Sequence, residues 1–328
     1  MNSERIASDQ SGMALVLTLL TISFLVAVTV QLMLTIDRQL AVSTAQREQV
    51  RLDGMVLAGL NLARAALAAD QKENAFESPH DAWATFDPDR LKALTGDVTL
   101  KVTVADLGGR LQVNALGSGT KEAYRQIWMR LLQSGRFAVA GADEAEDLLD
   151  ALADWVDQDD EERHGGAEES FYRGRTPTYS CRNGPVATIE ELLLVKGVTW
   201  ELLFGDAGHE ALADYITVMG EDGVLNLNTA PLPVVQALSP DMTPNLAQEL
   251  IDFREDPRHA KLLATPGWYR EITGFPASIE FSNDLLTVTG KYFELRVHAA
   301  AHQYSRTGTG ILLRNNEQRQ TLLLWKLE

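Results

Sequence analysis

A single cysteine, Cys181, stands in a chain of 328 residues. It excludes a disulfide framework within the chain, and so sparse a usage names no redox compartment. Basic residues are also scarce: 29 Lys plus Arg face 46 Asp plus Glu, a net charge of −17. Such a surface repels phosphate backbones and disfavours non-specific nucleic-acid binding. The signatures HExxH, GxSxG, GxGxxG and the P-loop are missing. The six histidines are scattered, and only His164 stands beside a carboxylate cluster. Cys181, in YSCRNGP, has no base close to it in sequence. The chain therefore reads as a non-enzyme. A last absence is local: residues 13–36 carry no charge at all.

At 1.5 Å per residue, a helix over that run exceeds the roughly 30 Å hydrocarbon core of a bilayer. A secretory signal has a shorter apolar region, about 7–15 residues. Ser43 and Ala45 imitate a cleavage site, but only behind a run that is too long. A plain anchor and a processed segment both stay open. Orientation is not set by charge, because Arg5 on one side faces Arg38, Arg47 and Arg51 on the other. Beyond the run, Leu40, Val50, Met55, Leu60, Leu62 and Leu67 recur at roughly helical spacing with no proline between them. One helix to about residue 70 is expected. Gly54 and Gly59 weaken it locally or let another backbone approach.

Residues 70–97 are polar and turn-rich. VTLKVTVADLGGRLQVNAL (98–116) alternates around Gly-Gly and reads as a β-hairpin. EDGVLNLNTAP (221–231) shares its acid, glycine and apolar-polar-apolar-Asn run, a two-copy internal repeat. Between the copies, amphipathic stretches end at Gly135, run over 142–160 and flank Gly197, and Thr188 with Glu191 has capping-box spacing. A helix pair follows over 231–256, and residues 284–328 return to strands. The order is that of an α+β chain with a helical insertion.

The densest feature is acidic. Residues 141–169 hold 13 carboxylates and one base, Arg163. Trp155, Val156, Phe171 and Tyr172 tie this loop to a core. Calcium takes six to eight oxygens and answers such crowding. Asp157, Asp159 and Glu161 alternate, and Glu168 follows eleven residues after Asp157, echoing EF-hand ligand positions. Glu162 stands where that loop requires glycine, so this is not an EF-hand. A solvated acidic loop is the plainer alternative.

The glycine that ends a polar leader, the apolar helix straight after it and the amphipathic continuation resemble a type IV prepilin or pseudopilin. The resemblance implies cleavage by a prepilin peptidase between Gly12 and Met13, with methylation of the new amino terminus. Pilins usually carry glutamate at the fifth mature position, which here is Leu17. That departure is similar to the K-type minor pseudopilins (GspK) of type II secretion. The family's runs follow in order over most of residues 13–300. They are Asp154-Trp155-Val156-Asp157, Gly166-Ala167-Glu168, Tyr172, Asn183-Gly184-Pro185, Glu190-Glu191-Leu192 and NLNTAP at 226–231.

The resemblance implies a leader over 1–12, a transmembrane helix over 13–36 and its periplasmic continuation over 37–70. It implies a pseudopilin-like antiparallel sheet from 71–116 and 284–328. An inserted all-α domain, SAM-like or helix-hairpin-helix-like, is expected in lobes 117–220 and 221–283. The implied protein is single-pass in the bacterial inner membrane with its bulk in the periplasm. It stands at the pseudopilus tip with I- and J-type minor pseudopilins, with the H type as a further neighbour, and initiates assembly that exports folded proteins. The prepilin peptidase and the inner-membrane platform are its other expected partners. Calcium in the helical domain is implied, with Asp154, Asp157, Asp159, Glu161 and Glu168 as candidate ligands.

A different class also fits parts of the chain. NLNTAPLPVVQALSP and IEELLLVKGV resemble helix-hairpin-helix modules, which makes a membrane-anchored DNA-binding protein the alternative. SPDMTP lacks the phosphate-holding glycine, however, and the net charge opposes DNA.

Overall fold

The computed structural model describes residues 11–117, 119, 121–315 and 319–328. Most of the expected leader, residues 1–10, lies outside the described residues.

Nothing between residues 11 and 73 breaks a helix, and one helix, α1 (Ser11–Glu73, 63 residues), takes the whole stretch. It is about 95 Å long at 1.5 Å per residue. Residues 12–44 are exposed throughout. The four threonine hydroxyls in the apolar part bond within the helix. Thr21, Thr29 and Thr35 donate to the carbonyls of Leu17, Leu25 and Gln31 at 2.8–2.9 Å, so none needs water.

The carboxy-terminal half of α1 lies on a four-stranded antiparallel sheet of order β1-β6-β7-β8. Its strands are β1 (Thr99–Asp106), β6 (Tyr292–Ala301), β7 (Tyr304–Arg314) and β8 (Gln320–Leu327). Thr99 pairs with Ala300, and Ala301 with Tyr304 across the tight β6–β7 turn. A short helix, α2 (Pro88–Thr95), precedes β1. The residues of α1 that face the sheet are Leu52, Val56, Leu60, Ala63 and Leu67, all buried with Trp83, Val102, Phe293 and Val297. Of the six apolar residues the helical spacing singles out, Leu60 and Leu67 are buried on this face and Met55 packs partly buried against it. Leu40, Val50 and Leu62 are exposed. The face is chosen by size: at Gly59 a Cβ would stand 2.5 Å from Val297, so the helix comes closest where it has least side chain.

The expected hairpin over 98–116 does not form. After β1 the chain makes a one-turn 3-10 helix (Leu107–Gly109), and β2 (Leu111–Gln112) pairs in parallel with β3 (Ile216–Thr217). Asp106 is the reason. It is buried and accepts from Gly108 N at 2.9 Å, Asn226 Nδ2 at 2.7 Å and Thr229 Oγ1 at 2.7 Å. Burial pushes its carboxyl above the usual range. These bonds turn the chain out of the sheet and into a second core that runs from Leu111 to Val288.

That second core carries α3 (Glu122–Leu132), α4 (Ala142–Val156), α5 (Glu169–Arg173), α6 (Trp200–Phe204), α7 (Leu232–Ala237) and α8 (Pro244–Glu255). It also holds the β2–β3 ladder and a second parallel ladder, β4 (Leu225–Asn226) with β5 (Leu286–Thr287). The insertion is therefore mainly helical rather than all-α. Trp128, Trp268 and Tyr269 are fully buried in it.

The two repeat copies do the same work. Asn114 Nδ2 donates to the carbonyls of Val186 and Val218, while its Oδ1 accepts from Val186 N. Asn228 Nδ2 donates to the carbonyls of Glu77 and Leu263, and its Oδ1 accepts from Trp268 Nε1. Each asparagine staples two distant loops to the end of a two-residue ladder. At the other expected signature, Thr188 makes no side-chain cap. Glu191 accepts from Ala187 N, one residue before the cap, rather than from Thr188 N, so the capping box does not form.

Candidate functional site

The acidic loop hangs from the end of α4, whose last turn holds Asp154, Trp155 and Val156. All three are buried, and Asp157 caps the helix. Trp155 packs edge-on against Tyr172 at 4.8 Å and against Tyr179 at 6.4 Å, fixing the loop to α5 from beneath. The loop closes through Gly165 and Gly166. A Cβ at either would collide with Asp147 or Asp154. Lys196 Nζ donates to the carbonyls of both glycines, at 3.1 and 2.8 Å.

Arg163 is the cation at the centre. Its Nη1 reaches the carboxylates of both Asp154 and Asp157, the latter at 2.6 Å. Asp154 also accepts from the amides of Arg163 at 3.1 Å and Ala167 at 2.9 Å, so both of its oxygens are hydrogen-bonded within the loop. Burial alone would lower the Arg163 guanidinium; Asp157 and Asp154 outweigh it and hold the guanidinium above its ordinary value. The sequence marks Arg163 only as the lone base among thirteen acids, which does not assign it this role.

Of the five candidate ligands, three come together. Asp157, Asp159 and Glu168 each offer an oxygen within 4.8 Å of the other two. Asp154 sits beside them but is committed to Arg163 and the amides. Glu161 is exposed and stands outside the cluster; its amide donates to Asp159 Oδ1 at 3.0 Å. Three buried oxygens in the cluster have no hydrogen-bond partner: Asp157 Oδ1 and both oxygens of Glu168. Burial first, then the charges of Asp154 and Asp157, push the Glu168 carboxyl up to about 7. Burial likewise raises Asp157, against the lowering effect of Arg163. Unpartnered carboxylate oxygens at this spacing, with no nitrogen or sulfur donor among them, fit a hard divalent cation. Cys181 stands nearby, and burial followed by the Glu168 charge pushes its thiol up to about 12. It is a packed thiol rather than a nucleophile.

The DNA-binding alternative finds no support here. Lys196 is spent on the loop carbonyls, and Arg254 is buried with its Nη1 donating to Leu227 O at 2.8 Å. Neither cation is presented to a phosphate.

The same acidic loop and both asparagine-stapled ladders lie inside two family matches. Models of type II secretion system protein K match residues 109–220 and 225–290. Type II secretion system protein K of Pseudomonas aeruginosa is 31% identical over 259 residues, covering 75% of this chain and 72% of that protein. The chain belongs to the protein K family. It is thus a K-type minor pseudopilin, a structural component of type II secretion. Putative type II secretion system protein K of Escherichia coli K12 is 25% identical over 242 residues, 70% of each chain. A chain in the crystal structure of the GspK-GspI-GspJ complex from enterotoxigenic E. coli shares the fold. Its TM-score is 0.63 at 19% identity, with 87% of this chain and 99% of that chain covered.

Proposed function

We propose that this protein K family member occupies the tip of a periplasmic pseudopilus, bound to I- and J-type minor pseudopilins, and initiates its assembly for export of folded proteins. One observation carries the reading: α1 is exposed and apolar over residues 13–36, then runs without a break into the head. A helix of this kind has a membrane to cross and neighbouring helices to meet. In this reading the head is periplasmic, the anchor lies in the inner membrane, and a prepilin peptidase cuts between Gly12 and Met13 and methylates Met13. Assembly onto the inner-membrane platform follows. Asp157, Asp159 and Glu168 hold calcium, which neutralises the acidic loop and stiffens the head.

Leu17 supports the first position. Pilin-type glutamates are paired with the amino group of a subunit already in place, and a first subunit has none. An unpaired acid costs about 2.5–3.5 kcal/mol at the centre of a spanning helix on insertion scales, and less toward its end, where Leu17 lies. Leu17→Glu is therefore expected to cut the assembled fraction at least about tenfold. Recovery of the complex with I- and J-type partners, and secretion by the reconstituted system, read this out. Assembly and secretion at the unsubstituted level would contradict it.

A further inference from the structure

A second acidic cluster lies far from the loop in sequence, where α1 ends against the sheet. Asp70 from the last turn of α1, Glu77 and Asp81 are all buried, and each offers an oxygen within 4.8 Å of the other two. Arg314, at the end of β7, pairs with Asp70 at 3.4 Å and with Glu77. Asp81 does not touch Arg314. It accepts from Ser78 N at 2.7 Å, Ser78 Oγ at 2.8 Å and Asn74 Nδ2 at 3.3 Å. Three buried carboxylates against one guanidinium leave two negative charges over. Asp70 adds to the strain, since an acid in the last turn of a helix faces the negative end of its dipole. Glu77 is only 2% exposed, and its Oε2 has no hydrogen-bond partner.

The geometry points to a divalent-cation site formed by Asp70, Glu77 and Asp81, distinct from the acidic loop, that clamps the end of the spine helix to the sheet. Calcium bonds of 2.3–2.6 Å span oxygens up to about 5 Å apart, so the spacing fits. The donors are all oxygen, as a hard cation prefers. Two positive charges bring the cluster, Arg314 included, to neutrality. The cation links two parts of the chain, α1 through Asp70 and the following loop through Glu77 and Asp81; β7 joins them through the pairs of Arg314 with Asp70 and Glu77, and Arg314 also stacks on Phe293 at 4.7 Å.

The test uses the full chain in detergent, stripped with chelator and titrated with calcium by calorimetry. An Asp157→Asn/Glu168→Gln background removes the loop site and is expected to retain one calcium. In that background Asp81→Asn, which leaves both Arg314 pairs intact, is expected to weaken the remaining binding at least about tenfold, and Glu77→Gln likewise. Hydrogen exchange on the chain without substitutions checks the site independently of any folding defect. Calcium is expected to slow amides between residues 67 and 84 at least about tenfold. Loss of all calcium binding in the loop background would overturn this site while leaving the loop site standing. Binding insensitive to Asp81→Asn and Glu77→Gln, or unchanged exchange over residues 67–84, would also overturn it.

Discussion

Arg163→Met is expected to destabilise the head by about 3–5 kcal/mol in chelator, the scale seen when one partner of a buried ion pair is removed. Asp154 and Asp157 have fully buried carboxylates, and both rest on the same guanidinium nitrogen. Methionine keeps much of the stem's apolar contact and removes only the charge, so the loss reports the uncompensated carboxylates. Calcium should shrink the deficit, because an ion on Asp157, Asp159 and Glu168 takes over part of the work of Arg163. Urea unfolding of the detergent-solubilised chain, with and without calcium, measures both terms. An equal loss in the two conditions would separate Arg163 from the cation site.

The second large effect is pH-dependent. Without metal, the folded Glu168 carboxyl sits at about 7, well above the ordinary glutamate value. A carboxyl raised on folding binds its proton more tightly in the native state. Its contribution is therefore fully present below the unfolded value of about 4.3 and is lost as pH rises to about 7. The loss is on the order of 3 kcal/mol between these limits. Calcium needs the ionised form, so its affinity should rise with pH over the same window, up to roughly tenfold per unit, and level off above 7. Stability of the stripped chain and calcium affinity should thus move in opposite directions between pH 5 and 7. Glu168→Gln should flatten the first trend and abolish loop binding. A stripped chain whose stability is flat across this window, before and after that substitution, would count against the buried, unpartnered Glu168.

What the sequence discloses depends on how local its cause is. The long helix is legible because charge, proline and helical spacing all act over neighbouring residues, and α1 runs unbroken to Glu73. Its buried face is only partly legible from leucines: Leu52, Leu60 and Leu67 lie on it while Leu40 and Leu62 do not, and Gly59 sets the approach to a sheet built mostly from the other end of the chain. The alternation over 98–116 looks like a hairpin because Leu100, Val102 and Val104 face one core while Leu111 and Val113 enter another. Only the pairing of Leu111 with Ile216, over a hundred residues on, distinguishes the two arrangements. In the acidic loop, carboxylate spacing finds Asp157, Asp159 and Glu168. It also picks Asp154, which Arg163 and two amides claim, and Glu161, which points away into solvent. The cluster of Asp70, Glu77 and Asp81 has an irregular spacing and a partner, Arg314, on the far side of the chain, so no sequence window contains it.

The most direct test of the pseudopilin reading is the mass of the mature chain. The full chain is co-expressed with a prepilin peptidase, extracted in detergent and weighed intact. The expected product has lost residues 1–12 and carries one methyl group on Met13. An uncut chain, or a cut near residue 45, would contradict the reading: the first leaves a plain anchor, and the second a secreted protein.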